Sequence, residues 1–364
     1  MIMDRRRFLK LGGAFAGAAL ISLRAHAQER FITEQGPWRK FDITTKIAFS
    51  EAKGKVQAWV PVPSVNEDDW SKALGSGWKT NAKVAKLEHD EASGADFVYF
   101  EWPEGEPIRT AEISSQASTR NRVTHFTKPG KPKPLSDDER RRYTQPTSLM
   151  PHDAQLRETA AEITGNAKTD LGKAKAIYEW IVDTKRCGLG GHASQLGSWA
   201  SGPPANPDCT FLNTLYVGLA RVSGLPAREI FGVRVAPSQF GYQSLGARPE
   251  DVTSKTHGWA EVWLEDYGWV PVDPGDVRRI VNDEPPGNLQ VTDAKVVAAR
   301  VTLFGACEAN WVPYNMATDL VLPHSDGVSV PYLFRPLAWT AAGLSRDRDQ
   351  PGFTYKVTAK ELPA

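Results

Sequence analysis

The chain has 364 residues, 41% of them hydrophobic and 24% charged, with a formal net charge of +1. This is ordinary globular composition at a length that suggests two or three domains. The near balance of charge gives no basic surplus for nucleic acid or for anionic lipid.

The first residues predict an export signal. Asp4-Arg5-Arg6-Arg7-Phe8-Leu9-Lys10 is a basic leader, Leu11 to Leu23 is an apolar run short for a bilayer, and Ala25-His26-Ala27 is an A-x-A cleavage site. Residues 1–27 therefore read as a cleaved signal peptide. The run R-R-R-F-L-K resembles the twin-arginine export signal, although Asp4 stands where Ser or Thr is usual. The resemblance implies a periplasmic protein with the twin-arginine export machinery as a transient partner. Cleavage leaves 39 basic against 42 acidic residues, a formal charge of −3. No other run is apolar for long enough to expect stable membrane insertion.

Residues 31–127 predict a β-rich domain. WRKFDITTKIAF, KVQAWVPVP, AKLEH, DFVYFEW and AEISSQAST are short, rich in β-branched and aromatic residues, and separated by Gly, Pro, Asn and Asp. Such spacing suggests a β-sandwich or small barrel. Lys128 to Tyr143 is rich in proline and charge, and residues 128–150 read as an exposed linker.

Residues 151–285 form the next unit. Leu156, Ala160 and Ile163 mark a helix stopped near Gly165, and Ala174, Ile177, Tyr178 and Ile181 mark another from about Leu171 to Lys185. A loop rich in Gly, Ser and Pro follows. Then DCTFLNTLYVGLARVSGLPAR predicts a helix capped by Asp208, apolar nearly all round, and stopped by Gly224 and Pro226. Arg228 to Val235 reads as a strand, and HGWAEVWLEDYGWVPVDP as two strands reversing near Asp266-Tyr267-Gly268. In residues 286–364, a C-terminal extension, VAARVTLFG and FTYKVTAKEL look like strands.

The chemistry centres on Cys209. A thiol in the first helical turn lies near the positive end of the backbone dipole, which favours thiolate. A nucleophile also needs a base, and the base an orienting group. His257 opens one strand and Asp273 ends the next, so a hairpin brings them near; a simple three-residue turn would set Asp273 opposite Glu261. Taken alone, a cysteine at a helix start is more often a small buried residue. Three cysteines leave an odd thiol; with Cys209 free, Cys187 could bridge to Cys307, or both could be buried and inert.

C-T-F-L-N…A-R-V-S-G-L-P-A-R, H-G-W-A-E-V-W-L and G-W-V-P-V-D-P, in that order, closely resemble the transglutaminase-like superfamily. The resemblance implies an α+β fold, in which an N-terminal β-sandwich-like domain precedes a papain-like core with the cysteine helix packed on an antiparallel sheet. It implies Cys209 as nucleophile, His257 as general base and acid, and Asp273 as the group orienting the imidazole. Pro207, where many members have Gly two residues before the cysteine, and Phe211 and Leu212, in place of an acidic residue, depart from the pattern.

The implied activity is acyl transfer at an amide bond, first as hydrolysis of a peptide or isopeptide. Transamidation and a non-catalytic peptide-binding module are the alternatives. The partner would be a peptide or protein substrate, possible sources including cell-wall peptide. Trp199 is a weak second oxyanion donor beside the Cys209 amide. His192 stands in no metal-binding cluster, no dense carboxylate loop suggests calcium, and no cofactor or metal is expected. Arg228 suggests an ion pair or a substrate carboxylate; Trp259, Trp263 and Trp269 suggest core or cleft wall; Phe240 and Tyr242 suggest a lid or a loop anchor.

Overall fold

A computed structural model describes residues 30–50, 53–187, 208–345 and 352–363. The signal segment lies outside them. The first seven strands are β1 (Arg39–Phe49), β2 (Val56–Pro61), β3 (Ser71–Thr80), β4 (Val84–Asp90), β5 (Ala95–Trp102), β6 (Arg109–Thr119) and the short β7 (Arg122–Val123). Helices α1 (Asp137–Thr144), α2 (Ala154–Thr164), α3 (Asp170–Thr184) and α4 (Cys209–Val222) follow. Next come β8 (Ala227–Arg234), β9 (Thr256–Leu264), β10 (Gly268–Val272), α5 (Pro274–Asp283) and α6 (Ala294–Thr302). The chain closes with β11 (Ala306–Cys307), β12 (Trp311–Asn315), β13 (Leu320–Val321), β14 (Ser329–Val330), β15 (Leu337–Thr340), β16 (Gly343–Ser345) and β17 (Phe353–Leu362).

Two antiparallel sheets, ordered β17-β1-β6-β3 and β16-β15-β2-β5-β4, stack as a sandwich. Alternation builds it: Ile47 and Phe49 of β1 and Ala111 and Ile113 of β6 meet Val56, Ala58, Val98 and Phe100 of the facing sheet in one apolar cluster. The last strand is integral to this unit. β17 pairs with β1 from Phe353↔Phe49 to Leu362↔Lys40, and β15 pairs with β2, so C-terminal residues supply strands to both sheets.

The second unit is a four-stranded sheet, β10-β9-β8-β12, with α2 to α6 against it. At its centre is α4, buried from Phe211 through Arg221. Asp208 caps its start by accepting from the Thr210 amide at 2.9 Å. Its end is a Schellman arrangement, in which Gly224 at φ +83° and Leu225 donate back to the carbonyls of Arg221 and Ala220.

Two expectations are corrected, and one strand is added. The Lys128–Tyr143 stretch contains α1, started by a reciprocal capping box between Ser136 and Glu139. VAARVTLFG, read as a strand, is largely helix α6: Val296, Ala299 and Leu303 fall on one face and join the core around α4, so helical burial overrides β-branched composition. Ser71–Thr80, whose glycines break the strand alternation, adds a strand that pairs along β6 with a bulge between Ala73 and Gly75.

The two units share a buried charge cluster. Glu261 of β9 receives Arg122 from β7 on one oxygen and Arg228 of β8 on the other at 2.5 Å, and Arg228 also reaches Glu67 at 2.8 Å. Arg122 lies over Trp70 and Arg228 over Trp269. Arg228 is thus an ion-pair residue spanning both units. Breaking a buried pair leaves uncompensated charge, so Glu261→Gln should destabilise the protein by about 3–5 kcal/mol. Urea unfolding checks this; a loss below about 1 kcal/mol would contradict a structural role.

Candidate active site

The hairpin register brings the histidine and the carboxylate together. β9 and β10 pair Leu264↔Gly268 through Ala260↔Val272, joined by the three residues 265–267, with Gly268 at φ +73°. The pairing differs from expectation by two residues: Pro271, not Asp273, faces Glu261. The next pair along brings Asp273 level with Trp259, on the same side of the pleat as His257 and diagonal to it. His257 Nε2 and Asp273 Oδ2 are 2.7 Å apart.

Asp273 is also the N-cap of α5, followed by Pro274 at the first helical position. Its Oδ1 accepts the Asp276 amide at 2.8 Å and the Asn213 side-chain amide at 2.9 Å. These two donors fix the orientation of the carboxyl group. The Asp273–His257 contact assigns the proton of the neutral imidazole to Nε2, leaving Nδ1 as acceptor. Nδ1 points toward the start of α4, 3.5 Å from Thr210 Oγ1.

The α4 start presents Cys209. The Thr210 and Phe211 amides are satisfied by Asp208, at Oδ1 and at the carbonyl, each at 2.9 Å. Cys209, at the first helical position, offers the next free amide of that end among the described residues. Its sulfur is joined to Cys187 in a disulfide, with 4.9 Å between Cα atoms. This corrects the Cys187–Cys307 pairing: Cys307 is free and buried in β11, where burial pushes its thiol up to about 12. Cys209, His257 and Asp273 are all buried, at 5%, 1% and 4% exposure. Trp199 and His192 lie outside the described residues.

Close approach of α4 and α5 depends on Gly275. A Cβ there would fall 2.4 Å from the Cys209 carbonyl oxygen and 3.1 Å from the Asn213 side chain. The other aromatic candidates are structural. Trp259 packs between Trp70 and Trp311, Trp263 meets Trp269 edge-on, and Tyr242 anchors its loop through Lys295 O at 3.0 Å with Phe31 packed on it and on Phe240.

Several contributors escaped the sequence reading. Asp276 Oδ1 lies 3.4 Å from His257 Nε2, its other oxygen is held by Arg234, and Arg279 Nε is 3.4 Å away. Burial opposes its charge, but Arg234, then His257 and Arg279, outweigh that and hold its carboxyl well below the usual carboxylate range. The donor atoms of His257, Asp273 and Asp276 lie within 4.8 Å of one another. A cation there would compete with the two guanidinium groups already on Asp276. Asn213 was foreshadowed by a carboxamide on a mostly apolar helix, one turn beyond Cys209. Asp276 was foreshadowed by its place three residues after the Asp273 cap.

Residues 157–274 match the family described as the transglutaminase-like superfamily. An uncharacterized protein of Haemophilus influenzae is 28% identical over 334 residues, covering 85% of this chain and 88% of its own. A candidate cysteine protease of Cytophaga hutchinsonii has a similar fold, with a TM-score of 0.52 and 17% identity over 90% of this chain and 99% of its own.

Behind the site, Glu229 of β8 is buried against Thr214, whose hydroxyl donates to the carboxyl at 2.9 Å. Burial pushes its carboxyl from 4.5 up to about 8, with Thr214 and Arg221 offsetting only part. The folded chain thus keeps a proton that the unfolded chain releases, so stability falls as pH rises between 4.5 and about 8. The slope approaches about 1.4 kcal/mol per pH unit. Glu229→Gln should remove this slope in urea midpoints measured from pH 5 to 8; parallel wild-type and variant curves would contradict it.

Proposed function

We propose, on the premise that residues 157–274 form a core of the transglutaminase-like superfamily, that this protein is a thiol enzyme acting on amide bonds, with Cys209 as nucleophile. The observation that carries the reading is the 2.7 Å contact of His257 Nε2 with Asp273, which turns Nδ1 toward the start of the cysteine helix. The match of residues 157–274 to that family and the described fold support it. Hydrolysis of a peptide or isopeptide is the reaction, because water needs no second binding site. The export signal supports a periplasmic location and a peptide or protein substrate met there.

In the reduced protein, His257 Nδ1 takes the Cys209 proton, and the resulting thiolate attacks the carbonyl carbon. Asp273 holds the resulting imidazolium through Nε2–H. The tetrahedral oxyanion meets the Cys209 amide at the positive end of α4. His257 then returns the proton to the leaving amine, whose C–N bond breaks to give the acyl-enzyme. A water, deprotonated by the same imidazole, releases the acid and restores the thiol.

The Cys187–Cys209 disulfide makes the oxidised chain latent, since the Cys209 sulfur is bonded to Cys187 and cannot form the attacking thiolate. A dithiol reductant supplies two electrons and two protons, becomes a disulfide itself, and frees both cysteines.

Cleavage of a peptide mixture, followed by mass spectrometry, tests the reading. Turnover should require dithiothreitol in the wild type but not in Cys187→Ser. Cys209→Ser and His257→Ala should each lower it by about 10⁴-fold or more without unfolding the chain. Retained turnover in either variant contradicts the assignment. Products carrying an added amine would identify transamidation as the reaction, and peptide capture without cleavage by the reduced wild type would identify a binding module.

A further inference from the structure

One side chain touches all three elements that carry the proposed triad. Asn213 lies on α4 one turn beyond Cys209 and is fully buried. Its Nδ2 donates to Gly258 O at 2.6 Å, on the residue after His257, and to Asp273 Oδ1 at 2.9 Å. Its Oδ1 accepts the Gly275 amide at 3.0 Å, in the first turn of α5. Both amide protons and the carbonyl are used.

We infer that Asn213 is a positioning residue for the reaction: it fixes the cysteine helix against the histidine strand and selects which oxygen of Asp273 faces His257. The inference rests on the thiol-enzyme reading above. Asp273 has two oxygens, and Asn213 with the Asp276 amide occupies Oδ1. Oδ2 is thereby left to His257 at 2.7 Å. An oxygen atom without a donor at position 213 would repel Oδ1, and an apolar side chain would leave the carboxylate free to turn. Either change misdirects Nε2–H and moves Nδ1 from the thiol. A rearrangement of this size costs about 10²-fold in rate when it separates reacting groups by an ångström.

The titratable and charged groups around this network are His257 on β9, Arg234 and the protonated Glu229 on β8, Tyr178 on α3, and Asp276 and Arg279 on α5. Asn213→Asp tests the chemistry in particular, because it keeps the shape. Beside Asp273, the introduced carboxyl is protonated at low pH and can still donate to Oδ1; once ionised it cannot.

The experiment is iodoacetamide alkylation of the reduced mature chain from pH 5 to 9, with Cys209 followed by peptide mass mapping and folding followed by thermal melting. Wild-type Cys209 should react well below pH 8.5, the ordinary thiol range. Asn213→Ala should lose about 10²-fold of the rate at pH 6. Asn213→Asp should keep much of it on the acid side and lose it as pH rises. Folded variants with the wild-type profile overturn the positioning role while leaving the triad standing. A wild-type Cys209 with an ordinary thiol profile overturns the thiol-enzyme reading itself, and this inference with it.

Discussion

The Asp273 carboxylate is the junction through which the helix, the strand and the loop of the candidate site are held in one geometry. Oδ1 takes the Asp276 amide and the Asn213 carboxamide, while Oδ2 takes His257. It also caps α5, so the helix that closes the site and the group that orients the imidazole are set by one side chain. A buried carboxylate is costly unless its lone pairs are met, and here they are met from three elements at once. Gly275 completes the arrangement by letting α5 come within backbone contact of the Cys209 carbonyl.

Around this junction the two units are joined by buried contacts. The sandwich made from both ends of the chain packs on the core sheet through Phe41, Ile43, Val357, Val233 and Val312. The Arg122–Glu261–Arg228 cluster ties the same two units from β7 to β9, two strand positions beyond Trp259. The disulfide adds a chemical layer. Cys187 follows α3 and is bonded to Cys209, the proposed nucleophile, so the proposed activity depends on the redox state of one bond as well as on the fold.

Much of this was legible in the sequence where local physics and burial agree. The α4 boundaries follow from Asp208, the all-round apolar run and Gly224, and each acts as its chemistry implies. The hairpin was legible, but its register was not, because Glu265-Asp266-Tyr267 and Asp266-Tyr267-Gly268 are equally plausible three-residue loops until Gly268 is found at positive φ. α6 was misread because Val and Thr favour strands locally while tertiary burial selects the helical face of Val296, Ala299 and Leu303. Neither Asn213 nor Asp276 could be assigned from spacing, since their partners are set by the crossing of α4, β9 and α5. The pairing of Cys187 with Cys209 was hidden for the same reason; counting thiols with Cys209 taken as free left a Cys187–Cys307 bridge and two inert thiols equally open.

The account stands on Cys209 being a thiolate stabilised by His257 once Cys187 is removed from it. Absorbance of thiolate near 240 nm, titrated in Cys187→Ser, tests this directly, because burial keeps Cys307 protonated up to about 12 and leaves Cys209 as the thiol that titrates. The account predicts thiolate well below pH 8.5, and its loss from that range when His257→Ala is added. A titration at the ordinary thiol value, unchanged by the histidine substitution, would contradict it.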